Sequence, residues 1–169
     1  MALRSNHYDA AFEAYLRHER RPYVAVDEAR RALAAETSLK SLDFIVYSVQ
    51  GRNLLVDVKG RKFPAGVDSG THRWENWATE EDVDSLLAWE RLFGRDFRSL
   101  LVFAYDLEEG QPPCGHPHVW SFRRRVYAFY GVWVDDYAGV MRSRSPSWET
   151  VSLPLRDFAR LRRPIDELL

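Results

Sequence analysis

Two apolar segments separated by a short polar turn constrain the fold of this chain more than any other feature. They span residues 42–47 and 54–59, and residues 50–53 between them include the glycine and asparagine that suit a hairpin turn. A strand that is apolar at nearly every position is usually covered on both faces of its sheet. The two segments therefore predict neighbouring strands in the buried sheet of an α/β fold.

Three charged side chains interrupt these apolar segments. Asp57 and Lys59 are two residues apart in the second strand, so both side chains leave the same face of the sheet. Asp43 is near the start of the first strand, where a hairpin brings it close to Asp57. Burying such charges singly is costly. Either they lie at an exposed strand end or in ion pairs, or they line a site where a cation and a phosphate satisfy them.

The second of these explanations predicts a metal site. Two carboxylates held side by side repel each other unless a cation intervenes. Hard oxygen ligands suit Mg²⁺, which usually takes one or two carboxylates together with phosphate and water. A neighbouring lysine can stabilise negative charge on the phosphate, or position or deprotonate a water molecule. Asp9 and Glu13, four residues apart, add carboxylates on one face of a predicted helix.

The segments before the hairpin predict a helix and a short strand. Apolar residues at helical spacing predict a helix over residues 7–20, with Ser5 or Asn6 as its N-cap. Residues 23–26 follow as a strand. Residues 27–36 are compatible with a helix or with an extended connection.

The segments after the hairpin predict a second helix and a fourth strand. Residues 60–78 form a polar loop, and Thr79 then begins a capping box that Asp82 closes. An amphipathic helix follows and ends at Gly94, and residues 99–105 predict another buried strand. The predicted order is therefore helix, three strands, helix, strand.

The C-terminal third predicts an extension of this core that is rich in β-structure. Strands are expected at residues 119–122 and 126–134, followed by a short helix over residues 135–141. The core then covers residues 5–106 and the extension residues 107–169.

Length and composition predict one soluble domain over residues 1–169. A content of 46% hydrophobic and 29% charged residues excludes a disordered chain, and no apolar run reaches the roughly 18 residues of a membrane span. The single Cys114 and the absence of a signal peptide indicate the cytoplasm. The net charge of −1 argues against a non-specific coat for nucleic acid but allows a local basic groove.

The charged residues and the predicted order together resemble the PD-(D/E)XK nuclease superfamily. Glu13 lies on a helix, Asp43 at a strand start and Asp57-Val58-Lys59 in the next strand. This superfamily includes Holliday-junction resolvases and many restriction endonucleases. The 14-residue step from Asp43 to Asp57 is typical of it, although Leu42 replaces the proline of its name. The resemblance implies a restriction-endonuclease-like core, followed here by the C-terminal β-rich extension.

The resemblance also implies an activity and a role for each charged residue. Asp43 and Asp57 would bind Mg²⁺ or Mn²⁺, and Lys59 would assist the water that hydrolyses a phosphodiester bond of DNA. Glu13 would be a further metal ligand or would orient metal-bound water. Many members act as homodimers, but no interface is identifiable in this sequence. No second signature, such as the glutamine motif of the RecB-like branch, identifies a subfamily.

Several other residues have both a functional and a structural interpretation. Three basic residues flank the predicted site and either bind substrate phosphates or lie solvated at the surface: Lys40, Arg61 and Lys62. Three ring side chains either stack on bases or pack in the core: His72, Trp74 and Trp77. A further group either binds a metal or forms an ordinary turn: Cys114, His116 and His118.

Residues 7–13 also resemble a group of uncharacterised bacterial proteins known by the motif HYExAFE. Asp9 replaces the first glutamate of that motif, and His7 becomes a candidate residue at the edge of the site. Two alternatives to a nuclease stay open. One is a nuclease-like domain that binds nucleic acid or a protein partner without cutting, and the other is an unrelated α/β domain with structural ion pairs.

Overall fold

The computed structural model describes residues 6–27, 32–34, 37–49, 51–64, 74–108 and 118–169. Within these ranges the helices are α1 (His7–His18), α2 (Glu80–Phe93), α3 (Val134–Val140) and α4 (Leu155–Leu161). The strands are β1 (Tyr23–Ala25), β2 (Ala32–Ala34), β3 (Thr37–Leu39), β4 (Phe44–Val46), β5 (Asn53–Phe63), β6 (Ala78–Thr79), β7 (Phe97–Leu107), β8 (Trp120–Phe122), β9 (Arg125–Trp133), β10 (Arg142–Ser145), β11 (Thr150–Ser152) and β12 (Arg163–Pro164). Short 3₁₀ turns lie at Pro146–Trp148 and Ile165–Glu167.

A mixed, curled sheet forms the centre of this α/β fold. Its strands follow the order β1-β4-β5-β7-β9-β12, with β8 beside β9. Only the β5–β7 pair is parallel among these described strands, and its register runs from Asn53 opposite Phe97 to Phe63 opposite Leu107. The predicted end of β5 at Lys59 is therefore wrong. The strand continues through the first residues of the predicted loop because β7 offers a hydrogen-bonding partner along its whole length.

Both faces of the sheet are covered, as the apolar strands predict. Helix α1 packs Phe12 and Leu16 on one face, in a cluster with even-numbered residues of β5 such as Val56. Helix α2 packs Val83 on the other face, in a cluster with odd-numbered residues such as Leu55. Since side chains alternate along a strand, Asp57 and Lys59 lie on the face that α2 covers.

The C-terminal third is more closely integrated than a β-rich extension. Strand β9 pairs with β7 from Leu100 opposite Trp133 to Leu107 opposite Val126, so it belongs to the main sheet. A buried strand needs hydrogen-bonding partners for its backbone on both edges, and β9 supplies those of β7. The region also contains two helices, α3 and α4.

Two smaller sheets complete the described architecture. Strands β2 and β3 form an antiparallel hairpin, which includes part of the segment that was compatible with helix or extended structure. Strands β10, β11 and β6 form a three-stranded sheet that ends at the start of α2. No helix within the described ranges is long and apolar enough to cross a membrane.

The predicted N-cap of α1 and both predicted ends of α2 are confirmed, whereas α1 ends at His18, two residues before its predicted end. The Asn6 side chain accepts a hydrogen bond of 3.0 Å from the Tyr8 N–H at the start of α1. Thr79 and Asp82 form the capping box of α2, and Gly94 ends that helix with a φ of +87°. Positive φ suits glycine, which has no side chain to clash in the left-handed region.

Candidate active site

Asp43 lies immediately before β4, and its side chain continues the pairing of that strand with β5. The backbone of Asp43 makes hydrogen bonds of 2.9 Å from its N–H to the Val56 carbonyl and from the Val26 N–H to its own carbonyl. The next donor, the Val58 N–H, bonds to Asp43 Oδ2 at 2.6 Å instead of to a backbone carbonyl. The carboxylate thus lies beside the residue that separates Asp57 from Lys59.

Lys59 lies between two buried carboxylates. Its Nζ is 2.7 Å from Asp57 Oδ2 and 2.8 Å from Asp82 Oδ2. The exposed fractions of the three side chains are small, at 14% for Lys59, 9% for Asp57 and 3% for Asp82. An ammonium between two carboxylates offsets the cost of removing either of them from water.

Asp82 has a second function that the sequence did not reveal. Its Oδ2 accepts the Thr79 N–H at 2.9 Å, while the Asp82 N–H donates to Thr79 Oγ1 at 3.1 Å. The same carboxylate also contacts Lys59 and, through Oδ1, Lys40. The one signal in the sequence was an aspartate where a capping box usually has Glu or Gln. A cap requires only an acceptor, so this signal did not point to a shared ion pair.

Helix α2 also holds the segment that leads into Asp43. The Lys40 N–H donates to Ser85 Oγ at 3.1 Å, and the Trp89 Nε1–H donates to the Lys40 carbonyl at 2.8 Å. The Lys40 side chain is partly exposed and reaches Asp82. The segment before β4 and the middle of β5 are thereby both fixed to α2.

Burial and neighbouring charges shift the pKa of all three groups. Burial raises the pKa of Asp57, Lys59 lowers it and Asp82 raises it, with a net increase above the ordinary value. Burial alone would lower the pKa of Lys59, but Asp57 and Asp82 outweigh burial and raise it. Burial opposes ionisation of Asp82 too, yet Lys59 and Lys40 hold its pKa well below the usual range. Lys59 therefore keeps its proton at neutral pH.

Glu13 is not gathered with the two aspartates. Its Oε1 accepts hydrogen bonds of 2.8 Å from Arg17 and from the Tyr23 hydroxyl. Helix α1 covers the face of the sheet opposite Asp57, which explains the separation. Among the described residues, no three or more His, Cys, Asp or Glu side chains form a group that could hold a metal ion. The predicted three-carboxylate set is therefore not assembled.

The two basic residues that follow Lys59 in β5 take different positions. Arg61 is buried, stacks 3.9 Å above the Trp77 ring and donates to the carbonyls of Gly60 (2.7 Å) and Trp77. Lys62 is exposed, and alternation along the strand directs it to the face that α1 covers. The Arg61 guanidinium is therefore held by Trp77 and two carbonyls on the face that carries Lys59, whereas Lys62 lies on the opposite face.

The donor chemistry of the site fits a hard divalent cation in part. Asp43 and Asp57 are carboxylates on adjacent strands, which are the ligands that Mg²⁺ prefers. The buried Asp57 Oδ2 has the Lys59 ammonium beside it but accepts no aligned hydrogen bond from the described residues. A third carboxylate, from Glu13, would require that side chain to leave Arg17 and Tyr23.

The remaining candidates lie elsewhere or outside the described ranges. Trp74 packs against Tyr105 and Tyr130 in the core, in agreement with its structural interpretation. His118 Nε2 lies 2.9 Å from Asp166 Oδ2. His72 and residues 114–117 are outside the described residues.

The described strands and helices form a mixed α/β fold with a curled central sheet. The structure is similar to that of Hjc, a Holliday junction resolvase from the archaeal hyperthermophile Archaeoglobus fulgidus. The TM-score is 0.56 with 14% sequence identity, and the match covers 96% of this chain and 97% of the resolvase chain. No protein-family model matches the sequence, and no curated protein matches it significantly. The likeness establishes the fold.

Proposed function

We propose that this chain is a divalent-metal-dependent endonuclease of the PD-(D/E)XK type that hydrolyses phosphodiester bonds of DNA. The observation that carries the proposal is the hydrogen bond from Val58 N–H to Asp43 Oδ2. This hydrogen bond joins the Asp43 carboxylate, immediately before β4, to the Asp57-x-Lys59 triplet of β5, in a fold similar to that of a resolvase.

Asp43 and Asp57 would hold Mg²⁺ or Mn²⁺, since both present carboxylate oxygens from neighbouring strands. When bound, the cation supplies positive charge to the phosphate and acidifies a water molecule. Glu13 is proposed as a further ligand or as the group that orients the water. Either role requires exchange of its present hydrogen bonds to Arg17 and Tyr23.

Lys59 would act as a cation and a hydrogen-bond donor toward a phosphate oxygen. Its raised pKa makes it a poor proton acceptor at neutral pH, which favours charge stabilisation over deprotonation of water. Asp82 would be a positioning residue, because it holds the ammonium beside Asp57 without itself facing the substrate.

The flanking basic residues would take separate roles. Lys40 is partly exposed beside Asp82 and is proposed to contact the substrate backbone. Lys62 would reach a phosphate only along the opposite side of β5. We propose for Arg61 an anchoring role in place of phosphate binding, since its guanidinium is buried against Trp77 and two carbonyls.

A cleavage assay tests the proposed function. Wild-type protein, Asp57→Asn and Asp84→Asn would be offered single-stranded, duplex and four-way-junction DNA with Mg²⁺, Mn²⁺ or EDTA. Asp84 is an exposed acid on α2 and serves as the matched control. We expect metal-dependent cutting by wild type and control, and a loss of at least about 100-fold in Asp57→Asn. Thermal unfolding would verify that each variant is folded.

The outcomes separate the two remaining functions. Cutting by folded Asp57→Asn at the wild-type rate would show that the site is assigned wrongly. Metal-independent binding of DNA by wild type without any cutting would instead favour the alternative, a nuclease-like domain that binds nucleic acid or a protein partner.

A further inference from the structure

Trp148 differs from the other tryptophans of the chain in its exposure. It lies in the 3₁₀ turn that joins β10 to β11, and 77% of its surface is exposed. The other five tryptophans are each partly buried. An exposed indole offers a large flat apolar surface to solvent, which is a common property of residues that bind a partner.

The residue after Trp148 fixes this turn to the candidate site. Glu149 has a φ of +47°, a left-handed conformation that is strained for a residue other than glycine. Its carbonyl accepts a hydrogen bond of 2.9 Å from the N–H of Glu80, the first residue of α2. Two residues further along α2, Asp82 holds Lys59. The turn that carries Trp148 is therefore hydrogen-bonded to the end of α2 that positions the site.

Two exposed arginines precede Trp148 in the same hairpin. Arg142 and Arg144 belong to β10. The Arg144 guanidinium lies 5.4 Å from the centre of the Trp77 ring, on which Arg61 also stacks, and is 3.7 Å from Glu75. Arg144 thus lies near Arg61, which is two residues beyond Lys59 in β5, and Arg142 lies two residues farther from the exposed turn.

We propose that this hairpin is a single-stranded nucleic-acid-binding surface, in which an unpaired base stacks on Trp148 and the adjacent phosphates contact Arg142 and Arg144. The inference rests on the proposed function, which makes nucleic acid the substrate of the neighbouring site. Glu80 and Glu149 border the turn on the side of α2, so the phosphates lie on the side of the arginines.

The chemistry favours an unpaired strand over intact duplex. Every base has a face that stacks on an aromatic ring, whereas bases in a duplex are already stacked on each other. Arginines beside the ring supply the charge that tracks a phosphate backbone. Such a surface would hold the unpaired part of a branched or frayed substrate next to the site.

Fluorescence anisotropy with a labelled single-stranded oligothymidylate tests the surface, in EDTA so that cleavage cannot intervene. We expect Trp148→Ala to weaken binding roughly tenfold and Trp148→Phe to retain most of the affinity, since a phenyl ring still stacks. Leu92→Ala is the matched control, because Leu92 is 58% exposed but lies at the other end of α2. Arg142→Ala should reduce the salt dependence of binding by about one phosphate contact.

Any of three results would overturn the proposed binding surface. The first is equal binding by Trp148→Ala and Leu92→Ala, and the second is no binding by wild type. The third is a concentration-dependent dimer in sedimentation that Trp148→Ala abolishes with DNA binding unchanged, which would assign the turn to a second copy of the chain. Trp148-dependent binding without any cleavage by wild type would refute the proposed nuclease and leave this surface standing.

Discussion

The two faces of β5 have opposite characters although they belong to the same strand. On the face that α2 covers, Asp57 and Lys59 are buried, and Asp82 completes their charge balance. On the face that α1 covers, Val58 is in the apolar cluster, and Gly60 leaves room for the ring of Tyr8. One face carries the candidate chemistry and the other anchors the strand.

The contrast shows that the geometry of a site on one face of a strand can depend on packing at the opposite face. The Val58 side chain packs in the apolar cluster, while its N–H holds the Asp43 carboxylate at 2.6 Å. A displacement of Val58 by changed packing against α1 would therefore also disturb the hydrogen bond that positions the Asp43 carboxylate. Changes on the two faces should accordingly differ in stability cost and in pH dependence.

The largest expected effect comes from removing the cation of the α2 face. Lys59→Met keeps the length of the side chain but leaves Asp57 and Asp82 buried together without their shared ammonium. We expect the free energy of unfolding to fall by about 3–5 kcal/mol, measured by urea denaturation. Lys62→Met, an exposed position of the same strand, is the matched control and should change it by about 0.5 kcal/mol or less. Equal effects would mean that the ion pairs do not stabilise the fold.

The loss in the free energy of unfolding caused by Lys59→Met should also depend on pH. Burial and Asp82 raise the pKa of Asp57, and without Lys59 only the weaker influence of the Lys40 charge still lowers it. Folded variant then binds a proton more readily than unfolded variant, so its stability rises as pH falls. The difference from wild type should narrow between about pH 8 and about pH 5. A constant difference over this range would contradict a buried, charged Asp57.

A smaller effect is expected from crowding the α1 face. A methyl group on Gly60 would lie 2.1 Å from the Tyr8 ring, so Gly60→Ala must displace the ring or the strand. We expect a loss of about 1–3 kcal/mol in the free energy of unfolding, together with reduced cleavage through Val58 and Asp43. Gly139→Ala is the control, because a methyl group there meets nothing within 4 Å. If Gly60→Ala and Gly139→Ala change the free energy of unfolding equally, Tyr8 does not anchor β5.

The smallest effect concerns the polar edge of the α1 face. His7 Nδ1 is 2.8 Å from the Tyr127 hydroxyl. A double-mutant cycle of His7→Phe and Tyr127→Phe should return a coupling of about 0.5–1.5 kcal/mol in the free energy of unfolding. Zero coupling would show that this hydrogen bond adds nothing to the anchoring of α1.

Much of the secondary structure was predictable because it depends on local patterns. Local sequence correctly predicted helix α1, the capping box at Thr79 and the glycine at the end of α2. It did not predict the length of β5, since the residues after Lys59 have the composition of a loop and form a strand only because they pair with β7. The β2–β3 hairpin was not predicted either, because the apolar spacing of residues 27–36 does not distinguish a helix from an extended segment.

The sequence by itself determined which charges are embedded in an apolar strand, and the period of two placed Asp57 and Lys59 on one face. Only the tertiary structure decided which charges meet them. Asp82 reaches Lys59 because α2 packs on that face, whereas Glu13 is bound by Arg17 and Tyr23 because α1 packs on the other. The packing of helices on a sheet depends on the summed burial of many distant side chains, which no local pattern encodes.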